Sequence, residues 1–142
     1  MAAGDTRPAT DHVGSRRSAR ERTLALLYEA DAKGHTPADV LADVPVDPDP
    51  FVITMVRGVG ANEARIDALI AGHAFDWALD RMPVIDRTLL RMATFELLKL
   101  DDVPVAVVIS EAVDLAKQYS TDESGGFVNG VLAAIAVEVR AG

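Results

Sequence analysis

The stretch from Val84 to Leu98 leaves this chain the fewest options. Ile85, Leu89, Met92, Ala93, Phe95, Glu96 and Leu97 fill a helical pattern there, and Val84, Leu90 and Leu98 carry apolar character round most of its girth. A helix that is apolar nearly all round has to be enclosed by other elements. The stretch therefore predicts a central helix, broken by Asp101-Asp102-Val103-Pro104, and the rest of the chain must supply its wrapping.

The remaining segments offer that wrapping at helical spacing. Ala19, Thr23, Leu26, Leu27 and Ala30 share one face, widened by Leu24 and Tyr28. This predicts a helix from Ser15 or Ser18 to Lys33, opened by a capping box at Ser18–Glu21 and stopped by Gly34. Thr36-Pro37 opens a short helix, and prolines 45, 48 and 50 make a stiff linker. A long helix from Pro50 would bury Phe51, Val52, Met55, Val56, Val59, Ile66, Leu69 and Ile70, with a bend invited by Gly58 and Gly60. Phe75, Trp77 and Leu79 read as core plugs at a helix junction, and Asp80 as the cap of the central helix. Val105, Val108, Ile109, Ala112, Leu115, Ala116 and Tyr119 form an i, i+3, i+4, i+7 face. Ser124 then caps a last helix buried through Val128, Val131, Leu132, Ile135 and Val139. No useful β-alternation and no repeat occurs. The expectation is an all-α domain of six or seven helices over residues 15–142, behind a disordered tail at 1–14.

Composition supports packed helices, since hydrophobic residues make up 49% but aromatics only 5%. There is no cysteine, so disulfide and thiolate chemistry are excluded. The start has no apolar leader core, and no run approaches the ~18 apolar residues of a membrane span. A soluble, cytoplasmic protein is expected.

The net charge of −8 argues against nucleic acid until its distribution is considered. Residues 1–22 hold five arginines (Arg7, Arg16, Arg17, Arg20, Arg22) against Asp5, Asp11 and Glu21. The remainder carries nine basic and nineteen acidic side chains, a charge of −10. A basic arm on an acidic body suits two kinds of partner. Arg16, Arg17 and Arg20 also face the positive end of the first helix dipole, where stability alone would favour acids. Phosphate contact is the functional reading of that cluster; a solvated arginine group is the bland one.

Catalytic signatures are missing. His12, His35 and His73 are scattered without metal-ligand spacing, and there is no phosphate loop, dinucleotide fingerprint or nucleophile elbow. No metal, cofactor or enzyme activity is expected. Asn129-Gly130 stands out, because both residues disfavour helix yet lie early in the last one. Close approach of another helix at Gly130, with the Asn129 side chain tied to backbone, would explain them. Phe127 reads either as a plug or as an exposed ring on which a base can stack.

Several segments together resemble the NusB family. They are Arg16-Arg17-Ser18-Ala19-Arg20-Glu21 with Ala25–Ala30, Arg57-Gly58-Val59, the run Asp80–Leu97, Asp102-Val103-Pro104, and Glu111-Ala112…Leu115-Ala116-Lys117 followed by Phe127-Val128-Asn129-Gly130-Val131-Leu132. The resemblance covers Ser15 to about Val139. It implies two small helical bundles packed together, no catalysis, and a role in transcription antitermination. Its partners would be single-stranded boxA RNA, the ribosomal small-subunit protein NusE and the RNA polymerase elongation complex, notably on ribosomal RNA operons. It carries RNA contact onto Arg16, Arg17, Arg20, Asp122, Glu123 and Phe127, and partner contact onto Tyr28 and Asp86. Gly126 departs from the pattern, since many members have Lys there. Monomer and homodimer both stay open, as does a protein-interaction module with no RNA recognition of its own.

Overall fold

The computed structural model describes residues 9–45, 48–75 and 77–140, with side chains from Ser15 onward. Seven α-helices and one 3-10 turn, and no strand, are found among the described residues. The helices are α1 (Ala9–Lys33), α2 (Pro37–Ala42), α3 (Pro50–Ala61), α4 (Glu63–His73), α5 (Val84–Lys99), α6 (Val105–Tyr119) and α7 (Ser124–Val139), with the 3-10 turn at Leu79–Arg81. Helices α1, α2 and α3 pack on one another as one bundle, and α4, α6 and α7 pack around α5 as the second. Helix α5 also touches α1 and α3, so it joins the two bundles. This is the central position that its girth of apolar residues requires. Ten of its residues are buried, among them Leu89, Leu90 and Leu97. The buried apolar side chains of both bundles form a single cluster.

Local chemistry sets several helix ends. Thr36 accepts from the Asp39 amide while Asp39 accepts from the Thr36 amide, a reciprocal box with Pro37 just inside. Gly34 takes φ +68° after α1, a left-handed conformation that glycine adopts without strain. Arg140 closes α5 from a distance. Its guanidinium donates to the carbonyls of Glu96, Leu97, Leu100 and Val103 at 2.8–3.0 Å, spanning the end of α5 and the turn that follows it.

Six local expectations are corrected. Helix α1 begins at Ala9, so Ser18 lies inside it and cannot cap it; residues 1–8 of the expected tail lie outside the described residues. The long helix from Pro50 is two helices divided at Asn62, whose side-chain amide donates to the Gly58 carbonyl. Asp80 sits in the 3-10 turn, and α5 opens behind Pro83 without a side-chain cap. Ser124 is the buried first residue of α7; its hydroxyl instead accepts from the Thr121 amide. Phe75 is 87% exposed and Trp77 44% exposed, so neither is a core plug. Gly130 is exposed with nothing near a would-be Cβ, and Asn129 is exposed too. The close approach belongs to Gly58, where an added Cβ would lie 2.1 Å from the Phe95 ring.

Candidate nucleic-acid and partner interface

The arginine motif is held along the seam between α1 and α6. Arg17 donates through Nε and Nη2 to the two Glu111 oxygens at 2.6 and 2.7 Å, and through Nη2 to Asp114 at 3.0 Å. This hydrogen bonding holds the Glu111 carboxyl below its ordinary value of 4.5 and raises the Arg17 guanidinium further. Arg20 is buried and donates to both Glu96 oxygens at 3.0 and 2.7 Å, with Nη1 3.9 Å from Glu111. Arg16 lies over the Phe51 ring at 4.1 Å, with Arg20 at 5.3 Å from the same ring. Such cation–π contacts are worth roughly 0.5–2 kcal/mol and fix the guanidinium plane.

The seam continues toward the end of α6. The Tyr119 hydroxyl donates to Glu21 at 2.6 Å, an acceptor that raises the phenol above its ordinary value. Ser120 then donates to Asp86 at 2.5 Å, and Ser124 donates to Ser120 at 3.0 Å. The nine steps from Glu111 to Ser120 correspond to about 14 Å of helix. There the seam opens into a cleft of about 390 Å³ lined by Trp77, Pro83, Asp86, Thr121, Asp122, Glu123, Ser124 and Phe127. Trp77 and Phe127 stand with ring centroids 6.5 Å apart at 57°. Three carboxylates and no Lys or Arg line this cleft. It therefore suits a flat ring that offers N–H donors, or a cation, and repels a phosphate.

The structure separates the expected site residues into groups. Arg16 and Arg17 lie at one end of the seam, and Asp122, Glu123 and half-buried Phe127 at the other. Arg20 stands apart from its expected role as a surface phosphate contact. It is 5% exposed and both ends of its fork face Glu96, so it joins α1 to α5. Tyr28 is 45% exposed on α1, while Asp86 is buried at the rim of the cleft. The Arg87–Asp31 bridge at 3.2 Å ties their two helices together. Sequence alone places Trp77 in the core. Its flanking Ala and Asp residues and lack of helical period were the only signal that it could be exposed. Among the described residues no group of three His, Cys, Asp or Glu could hold a metal, and no helix is long and apolar enough to cross a membrane.

A two-bundle helical fold with arginines at one end of a seam and an acidic aromatic cleft at the other defines a binding protein built on α5. The chain matches the NusB family over residues 17–137 and belongs to that family. It is 48% identical over 128 residues to the transcription antitermination protein NusB of Kineococcus radiotolerans, covering 87% of this chain and 94% of that one. The counterpart of the same name from Saccharopolyspora erythraea is 48% identical over 130 residues, covering 87% and 88%. Among solved structures, NusB of T. maritima superposes with a TM-score of 0.79 at 36% identity, over 87% of this chain and 91% of that one. A complex of the antitermination factors NusB and NusE with double-stranded RNA matches with a TM-score of 0.74 at 28% identity, over 87% and 96%.

Proposed function

We propose that this chain is a transcription antitermination factor that binds boxA RNA together with NusE. In this reading the complex joins elongating RNA polymerase and suppresses premature termination on ribosomal RNA operons. The observation that carries it is the seam: cations at one end, stacking rings and base-edge acceptors at the other, about 14 Å of helix apart. Arg16 and Arg17 contact phosphate, Phe127 stacks on a base, and Asp122 and Glu123 accept from base amino groups. Arg20 acts from beneath, holding the arginine turn of α1 against α5. Tyr28 and the Asp86 rim form the protein-partner face, for which an acidic patch suits a basic ribosomal protein.

The test is fluorescence anisotropy with labelled boxA RNA and a scrambled control, each with and without NusE. Preference for boxA, strengthened by NusE, is expected. Replacing Arg16 and Arg17 with Ala should weaken binding and flatten its salt dependence by about 0.7 per lost phosphate contact. Equal affinity for both RNAs under every condition would leave only the protein-interaction reading.

A further inference from the structure

We propose that Glu111 and Asp114 act as a built-in substitute for RNA phosphate, holding Arg17 in the free protein and keeping its RNA affinity low. The proposal rests on the RNA-binding reading above and concerns what sets its strength.

The first observation is geometric. Glu111 engages Arg17 fork to fork through two bonds of 2.6 and 2.7 Å, and Asp114 adds a third. Paired oxygens facing Nε and Nη2 are the arrangement a phosphate offers a guanidinium. A phosphate and this clamp therefore compete for the same N–H edge.

The second observation is charge. Arg17 and Arg20 face Glu96, Glu111 and Asp114, and with Arg16 over the nearby Phe51 ring the cluster holds three positive charges against three negative. A motif that looks basic in sequence thus brings no net positive charge to an approaching polyanion. Counterion release scales with the phosphates actually neutralised, so the clamp suppresses that driving force.

The third observation picks out which pair can exchange. The Arg20–Glu96 pair has side chains only 6% and 3% exposed, and breaking it would strand a buried charge. Arg17 and Asp114 are 37% and 48% exposed, so water and ligand reach this pair without unfolding. Ion pairs this accessible are weak. Arg17 is the exchangeable member of the motif, and Asp114, half exposed, is readily solvated once Arg17 leaves it.

Removing the clamp should therefore strengthen RNA binding, although these residues belong to an acidic body. The variants are Asp114→Asn, which sits on the exposed side, and the double variant Glu111→Gln/Asp114→Asn. Glu138→Gln removes one negative charge from α7, where Glu138 pairs with His73, and serves as the charge control. Affinity for single-stranded boxA RNA is read by anisotropy across a salt series, with thermal melts to confirm folding. Asp114→Asn should bind roughly two- to fivefold tighter, the range an exposed ion pair is worth. The salt slope should steepen by up to about 0.7, one extra phosphate on a single strand. The control should do neither. An unchanged or weaker Asp114→Asn affinity, or an equal gain from Glu138→Gln, overturns the clamp while wild-type binding leaves the RNA reading standing. If neither wild type nor any variant binds RNA, with or without NusE, the RNA reading fails and the clamp with it.

Discussion

Gly58→Ala probes the tightest approach made at any glycine among the described residues. A Cβ at this position would lie 2.1 Å from both Cε1 and Cζ of Phe95 and 2.8 Å from Cδ1. Ordinary contact begins near 3.4 Å, so ring and helix must part by about 1.3 Å. Phe95 is 5% exposed on the central helix and has little room to give. Two effects oppose each other. Ala in place of Gly favours a helix by about 1 kcal/mol, whereas overpacking a core costs about 1–3 kcal/mol. A forced shift of 1.3 Å belongs at the upper end, which leaves a net loss of about 2 kcal/mol. For a chain of this size that lowers the melting temperature by roughly 4–8 °C. Urea and thermal unfolding of wild type, Gly58→Ala, Phe95→Leu and the double variant would measure it. Trimming the ring should relieve the clash, so the two changes should couple favourably by at least about 1 kcal/mol. A neutral or stabilised Gly58→Ala, or strictly additive losses, would refute the contact as the cause. Because Phe51 on the same helix carries Arg16, the variant should also weaken RNA binding more than its stability loss alone predicts.

Three further outcomes follow from the same geometry. Gly130→Ala meets nothing within 4 Å on an exposed helix face, so it should stabilise by about 0.5–1 kcal/mol in urea titration, opposite in sign to Gly58→Ala. Arg20→Ala leaves Glu96 buried without its partner and should cost about 3–5 kcal/mol of unfolding free energy; a loss of RNA affinity with full stability would instead return Arg20 to the binding surface. Glu111 has a carboxyl depressed by Arg17, so its contribution is complete above its ordinary 4.5 and disappears as pH falls through the lower folded-state value. Acid titration of Glu111→Gln, followed by circular dichroism, should show a shallower decline than wild type in that window.

Most of the fold could be read from periodicity. The enclosed position of α5 follows from residues such as Leu90 and Leu98, which close the gap in its apolar stripe, and α6 kept the face set by Val108, Ala112 and Leu115. What escaped was chemistry acting across long sequence separations. Arg17 meets Glu111 94 residues away and Arg20 meets Glu96 76 residues away, so a run of arginines could not disclose that these two already had carboxylates. Glycine was ambiguous for a related reason. Gly58 and Gly130 are equally poor helix formers, and only the neighbouring helix shows which one makes room. The aromatic residues after α4 failed differently: hydrophobicity predicts burial, but Phe75 stands exposed on its loop and Trp77 is only partly covered, facing Phe127 across the cleft.

Arg140 has a consequence for the order in which the molecule can be made. Its guanidinium completes the end of α5 by binding carbonyls from Glu96 to Val103, residues synthesised some forty positions earlier. Until that arginine clears the ribosome, the C-terminal end of the central helix lacks this cap. The last turn of α5 is capped in this way only once residue 140 has been added.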